Sequence, residues 1–250
     1  MDCLYHQVFE TAVPRDSKFL YGMRFAPHPF ILAPPDSEAH AVKKDEQFRI
    51  GLTLLGDYDR YLHYFVRVLE SAGSLGVGKG RKSFQVLAVE NQVDGLQVYD
   101  GETLALERTA ITLPQARVLP EQVTLHFRSP LRIIEKKKLL QKPDRPQFLR
   151  SMLRRAILLN HFHGDGQEIL DRDEFHKALR QGKFKSEFVL KPLKRYSNRQ
   201  RRYIPMNGVN GSVTFDHLNQ SVHKALQICA HTHMGKGASF GLGRFTLMED

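Results

Sequence analysis

The sequence predicts an α+β fold in which two small domains follow one another along the chain. In each half, strand-like alternation of apolar residues gives way to helical periodicity, and each half ends with a helix, a glycine-rich turn and a strand. Both turns contain Gly-Lys-Gly, in Val77-Gly-Lys-Gly80 and in Met234-Gly-Lys-Gly237. A repeat of this kind indicates two copies of one domain, and 250 residues are enough for both.

The first half contains a strand–helix–loop–strand unit. Apolar residues alternate over Phe48–Leu54, and a helix follows, with Asp57 as its expected N-cap and Gly73 as its expected end. A glycine-rich turn then leads into a second predicted strand, Phe84–Val89. The polar segment 91–122 predicts a connector that carries a short hairpin.

The second half predicts the β-α-β-β-α-β order of a ferredoxin-like domain. Its first strand is expected at Val123–Phe127, and the motif Pro143-Asp-Arg-Pro146 indicates the start of a helix. One face of that helix is apolar, and the other carries Arg150, Arg154 and Arg155. The later elements, in chain order, are a short helix within 168–182, strands at 188–190 and 209–215, a helix over 218–229 and a last strand at 244–247.

The charge of the chain favours a polyanionic partner. Thirty-seven Lys and Arg against 27 Asp and Glu give a formal charge of +10. The run Lys191–Tyr203 interleaves six cations with Tyr196 and Tyr203, so phosphates and exposed bases both have partners there. A solvated charged hairpin is the alternative. Because no helix-turn-helix or zinc-finger pattern occurs, RNA fits better than duplex DNA.

Several functional classes lack support in the sequence. Its apolar stretches are too short for a membrane span, and the N-terminus has no apolar signal core, so we expect a cytoplasmic protein without membrane contact. Cys3 and Cys229 cannot form a disulfide framework or a four-cysteine zinc site. The chain contains no Walker A motif, no complete Gly-x-Gly-x-x-Gly and no His-Glu-x-x-His. We therefore expect no cofactor.

Two His-x-His pairs are the candidates for acid–base chemistry. His161 and His163 end the basic helix, whereas His231 and His233 precede the C-terminal glycine loop. Neither pair has a Cys, Asp or Glu at a spacing that completes a zinc site, so no metal is predicted. A structural role for each histidine stays open.

The C-terminal glycine loop allows two interpretations. Glycines let a backbone approach a phosphate closely, and Lys236 and Arg244 would add positive charge. Alternatively, the glycines serve only the tight packing of a hairpin.

The stretch Gly235–Phe245, Gly-Lys-Gly-Ala-Ser-Phe-Gly-Leu-Gly-Arg-Phe, resembles the signature loop of the RAMP proteins of CRISPR systems, specifically the Cas6 branch that processes precursor CRISPR RNA. Other pieces of that branch occur in order, at 26–35, 76–81, 127–132 and 160–164. The resemblance implies tandem RRM-like domains that hold the CRISPR repeat in a positive cleft. It also implies RNA cleavage without metal, in which the 2′-hydroxyl attacks the adjacent phosphate and a histidine often acts as base.

The resemblance and the charge pattern together define the candidate site. His163 and His233 are the catalytic candidates, and His233 matches a position where relatives tend to carry histidine. The candidate RNA-binding residues are Lys194, Arg195, Arg199, Arg201, Arg202, Gly235, Lys236, Gly237, Ser239, Gly241, Gly243 and Arg244.

The chain departs from the family at its start. Relatives have a strand and a helix before a Cys-x-Tyr-x-x-Val-Phe-Glu-like stretch, and here Cys3–Glu10 comes almost at once. We therefore expect domains at 1–110 and 120–250, the first of them incomplete and without the helix that often supplies the catalytic histidine.

Three functions are consistent with these observations. The leading hypothesis is a Cas6-type endoribonuclease that binds CRISPR repeat RNA and acts as a homodimer or together with effector subunits. The alternative is a non-catalytic RAMP-type RNA-binding subunit of a CRISPR effector complex. A basic protein that binds nucleic acid without CRISPR specificity is a third.

Overall fold

The computed structural model describes residues 4–10, 13, 25–35, 42–78, 80–105, 120–165, 171–197 and 200–248. The chain forms two compact units, one of Met1–Thr53 with Ala116–Asp250 and the other of Leu54–Gln115. Both contain helices and strands, which confirms the mixed α and β class. The division into two tandem RRM-like domains stays a prediction.

The described strands are β1 (Phe30–Ala33), β2 (Gly51–Leu54), β3 (Val89–Glu90), β4 (Gln97–Tyr99), β5 (Gln122–Leu131), β6 (Ile134–Glu135), β7 (Lys138–Leu139), β8 (Phe184–Lys191), β9 (Lys194–Ser197), β10 (Arg202–Pro205), β11 (Gly208–Asp216) and β12 (Phe245–Met248). The described helices are α1 (Leu4–Phe9), α2 (Leu62–Leu75), α3 (Arg145–His163), α4 (Arg172–Arg180) and α5 (Gln220–Thr232), with 3-10 turns at Gly56–Tyr61 and Ala238–Phe240. None of these helices is both long and apolar enough to cross a membrane.

The larger unit contains a four-stranded sheet in the order β12-β5-β11-β8, and every neighbouring pair is antiparallel. Because α3 follows β5 and α5 follows β11, the chain order is β-α-β-β-α-β if the extra helix α4 and the β6–β7 and β9–β10 hairpins are set aside. The element order predicted for the second half is therefore observed.

One face of the sheet packs against α3 and α5. Burial alternates along β5, where Leu125 and Phe127 are buried and His126 between them is not. Phe148 of α3 has its ring 6.3 Å from that of Phe127 and 5.8 Å from that of Phe215. Each such side chain contributes about 1.5–3 kcal/mol through burial, so this core fixes both helices on the sheet.

The start of α3 explains the Pro-Asp-Arg-Pro motif. Asp144 is the N-cap, and its carboxylate and the Gln147 side chain form a reciprocal capping box. The buried Arg145 guanidinium donates to the backbone oxygens of Ala178 (2.7 Å), Lys183 (2.9 Å) and Asp216 (2.7 Å). These bonds tie the first turn to three other segments and so orient the whole helix.

Two expectations for the first half are wrong. The α-helix begins at Leu62 after a 3-10 turn that has no side-chain cap, so Asp57 is not an N-cap. Gly73 does not end the helix but lies within it, where a Cβ would come 2.3 Å from the Phe84 carbonyl oxygen. The helix ends instead before Gly76, whose φ is +79°.

The strand predicted over 84–89 is mostly absent. Within this segment only Val89 pairs in a ladder, as part of β3 with β4. The observed hairpin therefore begins at Val89–Glu90, before the connector 91–122 in which a short hairpin was expected. An alternating pattern predicts which side chains share a face, but a strand also needs a neighbour for its hydrogen bonds. The rest of the connector, 106–119, lies outside the described residues.

Candidate functional site

The C-terminal glycine loop, residues 233–244, owes its glycines to sterics. Gly235, Gly237, Gly241 and Gly243 have φ values of +79°, +89°, +81° and +69°. Side chains rarely adopt this conformation. A Cβ on Gly243 would also lie 1.9 Å from the Met234 carbonyl oxygen. The fold itself therefore requires these glycines.

Much of the loop backbone is hydrogen-bonded within the protein. The amide of Lys236 donates to the Arg132 oxygen (2.8 Å), and the amide of Gly243 donates to the Pro130 oxygen (3.1 Å). Those of Phe240 and Gly241 also have internal acceptors. These four N–H groups do not point at a ligand, which favours the tight-packing interpretation. Lys236 and Phe240 are the exposed side chains of the loop, and Ser239 is half-buried.

The β9–β10 hairpin adjoins this loop. Tyr196 and Tyr203 are paired across the hairpin with ring centroids 5.3 Å apart, and the Lys194 ammonium lies 5.0 Å from the Tyr203 centroid. The Arg195 guanidinium lies 5.4 Å from the ring centroid of Phe240 in the loop. Tyr196, Tyr203 and Phe240 are 51%, 63% and 49% exposed. We call these five side chains the cation–aromatic surface.

The other cations predicted to bind RNA are placed as follows. Arg201 and Arg202 are exposed at the turn of the hairpin, where Arg202 Nε donates to the Gln200 side chain at 3.0 Å. Arg244 is half-buried, and its amide donates to Ser129 Oγ at 2.9 Å. Arg199 lies outside the described residues.

His233 is a buried residue at the end of α5. It is 6% exposed and has a φ of +57°. Burial, reinforced by Arg244 and Arg155, lowers the pKa of His233 to about 4, although a backbone hydrogen bond with Leu242 acts in the opposite sense. Its Nδ1 has no hydrogen-bond partner among the described residues. The imidazole is therefore neutral at pH 7.

His163 is the last residue of α3 and is half-buried. Its Nε2 lies 2.7 Å from the Pro27 carbonyl oxygen, so Nε2 carries the proton and Nδ1 is the basic atom of the neutral ring. Burial lowers the pKa of His163, and the positive charges of Arg155 and His28 act in the same direction. His163 is thus held in one tautomer.

Arg155 is not an exposed cation, contrary to the expectation from the helical pattern. Its side chain is largely buried, and Nη2 donates to the Thr232 carbonyl oxygen at 3.0 Å. Its Nε is buried without a hydrogen-bond partner among the described residues. A spacing of four residues separates Arg155, Leu159 and His163, and this stripe was the signal that could have identified it.

His28 is a second residue that sequence reasoning missed. His28 lies between Pro27 and Pro29, is half-buried, and is stacked on Phe30 with ring centroids 5.4 Å apart. Burial lowers the pKa of His28, and Arg155 lowers it further. Within the described ranges, no group of three His, Cys, Asp or Glu side chains is arranged to hold a metal ion.

The family follows from comparison with known proteins. Residues 125–245, which span the sheet from β5 to β12, match the family model described as CRISPR-associated endoribonuclease Cas6, and solved Cas6 structures share the fold. Residues 125–245 are therefore a Cas6-family domain. Residues 1–111 match a second model, AF_1859_N, described as an N-terminal domain. An uncharacterized protein of Archaeoglobus fulgidus is 24% identical over 251 residues, covering 98% of this chain and 80% of its own length.

Three solved structures illustrate the shared Cas6 fold. A Thermus thermophilus Cas6 product complex is 17% identical, with a TM-score of 0.55 over 88% of this chain and 82% of its own. A second Cas6 product complex is 14% identical, with a TM-score of 0.53 over 89% and 83%. A partial Cas6-RT-Cas1–Cas2 complex is 12% identical, with a TM-score of 0.56 over 99% of this chain and 41% of that one.

The larger unit, which contains this Cas6-family domain, has two separate sets of candidate residues. The cation–aromatic surface is exposed and is formed by the β9–β10 hairpin and the glycine loop. The second set consists of His233, which is buried, and of His28 and His163, which are half-buried. All three lie near Arg155. Cys229 is not a candidate nucleophile, because burial raises the pKa of its thiol to about 12.

Proposed function

We propose that the protein is a metal-independent endoribonuclease that processes precursor CRISPR RNA within its repeats. The observation that carries the proposal is the cation–aromatic surface, which a Cas6-family fold assembles from two segments far apart in the chain. Cations hold the phosphates of RNA, and exposed rings stack on its bases.

The chemistry of the surface favours unpaired nucleotides. Stacking on an aromatic side chain contributes roughly 1–3 kcal/mol per base, and it requires a base face that a duplex does not expose. Tyr196, Tyr203 and Phe240 offer three such rings. Lys194 and Arg195 lie against two of them, so phosphate and base contacts would occur side by side.

The cations predicted beyond this surface extend it. Arg199, Arg201, Arg202, Lys236 and Arg244 would add phosphate contacts on either side. Gly235, Gly237, Gly241 and Gly243 would act indirectly, by holding the loop in the one conformation that exposes Lys236 and Phe240.

The proposed reaction needs no metal ion. A base removes the proton of a ribose 2′-hydroxyl, the oxygen attacks the adjacent phosphorus, and the bond to the 5′-oxygen breaks. An acid protonates that 5′-oxygen, so the products are a 2′,3′-cyclic phosphate and a 5′-hydroxyl. His163 fits the base better than His233 does, because His163 is the less buried of the two and its tautomer leaves Nδ1 as the proton acceptor.

The test is an incubation of the full chain with repeat RNA in excess EDTA. Cleavage at one position, with a cyclic phosphate at the new 3′ end, supports the proposal. A scrambled RNA of equal length is the control for repeat specificity. If it is cleaved as fast as the repeat RNA, the protein is a ribonuclease without repeat specificity. Tight binding of the repeat without cleavage would refute the enzyme.

A second candidate function is a non-catalytic RNA-binding subunit of a CRISPR effector complex. The burial of His233 and the bond of His163 to the Pro27 oxygen favour it, because neither ring is freely presented to a substrate. This candidate predicts selective binding of repeat RNA that stays intact with and without EDTA.

Assembly is part of both proposals. A homodimer or an association with CRISPR effector subunits would place further RNA-binding surface beside this chain. Light scattering of the purified chain with and without repeat RNA measures the mass of the complex. The mass of a single chain without RNA, and of one chain plus one RNA with it, would exclude the homodimer.

A further inference from the structure

Three segments of the larger unit converge on Arg155. Arg155 donates to the Thr232 oxygen at 3.0 Å, so the next residue, His233, begins beside it. His163 lies two helical turns further along α3, and its bond to the Pro27 oxygen (2.7 Å) brings His28, the next residue there, to the same helix. We call His28, Arg155, His163 and His233 the Arg155 cluster.

The electrostatics of the cluster agree with this geometry. The charge of Arg155 lowers the pKa of all three histidines, and it opposes the increase that burial causes in the pKa of the Cys229 thiol. Arginine stays charged even when burial lowers its pKa. In the part of the chain that the structure describes, no carboxylate pairs with Arg155. Among the described residues, Arg155 is thus a partly buried positive charge without a counter-ion.

Two polar atoms of the cluster also lack hydrogen-bond partners among the described residues. They are Arg155 Nε and His233 Nδ1, both of them buried. A buried polar group without a partner is unfavourable, and in native proteins it often marks a site for an ion or a ligand. Both atoms are available to an acceptor-rich anion, Arg155 Nε as a donor and His233 Nδ1 once it is protonated.

We propose that the Arg155 cluster binds a phosphate group. A guanidinium binds tetrahedral phosphate through two parallel N–H bonds, and the adjacent imidazoles, when protonated, supply further donors to its remaining oxygens. His28, Arg155 and His163 are each partly exposed, so the site opens to solvent. The phosphate belongs either to an RNA backbone or to a free phosphate ion; the first source rests on the proposed RNA-processing function.

The first experiment uses inorganic phosphate as the probe and no RNA. Phosphate is titrated into the full chain while the histidine ring signals are followed by NMR. We expect the signals of His28, His163 and His233 to shift together with one apparent Kd. In Arg155→Met that Kd should rise at least about tenfold, since hydrogen bonds to charged groups contribute roughly 1.5–3 kcal/mol.

A matched control is Arg180→Met, which removes an exposed arginine from the end of α4 and should leave the Kd for phosphate unchanged. Circular dichroism reports whether Arg155→Met folds. If it does not, Arg155→Lys keeps the charge but loses the paired N–H bonds, and it should still bind phosphate more weakly than the wild type. Equal Kd values in wild type and the folded Arg155 variant would overturn the proposal.

The second experiment identifies the source of the phosphate. A repeat RNA with 2′-O-methyl groups at every position resists cleavage by 2′-hydroxyl attack. If this RNA shifts the same three signals and inorganic phosphate competes, the site holds a backbone phosphate. If only inorganic phosphate shifts them, the site holds the free ion. If neither probe shifts them, the cluster is not a phosphate site.

The phosphate titration does not depend on catalysis. Failure of RNA cleavage with intact phosphate binding would refute the proposed enzyme and leave the site standing. RNA cleavage without any shift of the three histidine signals on phosphate addition would refute the phosphate site and leave the proposed enzyme standing.

Discussion

The guanidinium of Arg195 lies 5.4 Å from the ring centroid of Phe240, and this contact joins the β9–β10 hairpin to the glycine loop. The two residues are 45 positions apart in the sequence. Because Phe240 stays 49% exposed under the guanidinium, the ring retains a face for a further partner. The contact therefore creates a mixed surface that neither segment has alone.

Removing an exposed ring of this surface should weaken RNA binding without changing its salt dependence. For Tyr203→Ala or Phe240→Ala we expect a loss of roughly 5- to 150-fold in affinity for single-stranded RNA, from stacking worth 1–3 kcal/mol per base. The slope of log K against log salt should stay constant, since no phosphate contact is lost. Fluorescence anisotropy at several salt concentrations measures both.

Tyr5→Ala is the matched control, because Tyr5 is 52% exposed on α1 and is no part of the surface. An equal loss of affinity in Tyr5→Ala, or none in Tyr203→Ala and Phe240→Ala, would contradict a stacking role.

Removing a cation of this surface, in contrast, should reduce the salt dependence of RNA binding. We expect Lys194→Met to lower the salt slope by about 0.7, the value for one phosphate of a single strand. Lys138→Met, an exposed lysine of the β6–β7 hairpin, should leave the slope unchanged. An unchanged slope in Lys194→Met would mean that Lys194 only supports the Tyr203 ring.

The surface and the cluster differ in how far sequence could predict them. Tyr196, Tyr203, Lys194 and Arg195 are close in the chain, so a run of cations and aromatics located them directly. Their partner Phe240 lies within the predicted loop, but no periodicity relates it to Arg195. Only the fold brings the two together.

The burial of Arg155, in contrast, could not be predicted from the helical pattern. On a helix, a pattern separates an apolar face from a polar one, and arginine counts as polar. Its long side chain nevertheless extends beneath the protein surface to the Thr232 oxygen, because the end of α5 packs there. The spacing of Arg155, Leu159 and His163 predicts that they share one face of α3, but it does not predict that the end of α5 packs there. The same reason hid His28, which reaches α3 from the segment before β1.

The glycine loop gives a prediction on stability. Gly243→Ala places a Cβ 1.9 Å from the Met234 oxygen at a φ of +69°. Gly95→Ala has a similar φ of +74° but open space around the new Cβ. We expect Gly95→Ala to cost about 1–2 kcal/mol from backbone strain alone and Gly243→Ala to cost clearly more. Urea unfolding measures both, and equal losses would remove the steric argument.

The buried imidazole of His233 predicts a pH dependence of stability. The pKa of His233 is about 4 in the folded protein against an ordinary value of 6.5 for histidine, so the unfolded chain binds more protons between these values. Stability should therefore be fully present above about pH 6.5 and fall as the pH drops towards 4, by an amount on the order of 3 kcal/mol. His28 and His163, with lowered pKa values, act with the same sign.

His233→Asn isolates the contribution of His233, since asparagine tolerates a positive φ and does not titrate in this range. The free energy of unfolding, measured in urea at pH 7 and at pH 4.5, should decrease less in the variant than in the wild type. An equal decrease in both proteins would show that His233 titrates normally in the folded state.

The role of His163 predicts a separation of catalysis from binding. Nδ1 of its neutral ring is the atom that would accept the 2′-hydroxyl proton, and glutamine at this position offers an acceptor but no useful base. We expect His163→Gln to lower the cleavage rate in EDTA by about 10²- to 10⁴-fold and to leave the Kd for uncleavable repeat RNA within about twofold. His161→Gln, two residues earlier and exposed, is the control and should cleave normally. Normal cleavage by His163→Gln would exclude His163 as the base, whereas loss of both cleavage and binding would show that His163 contributes to RNA binding and not to catalysis alone.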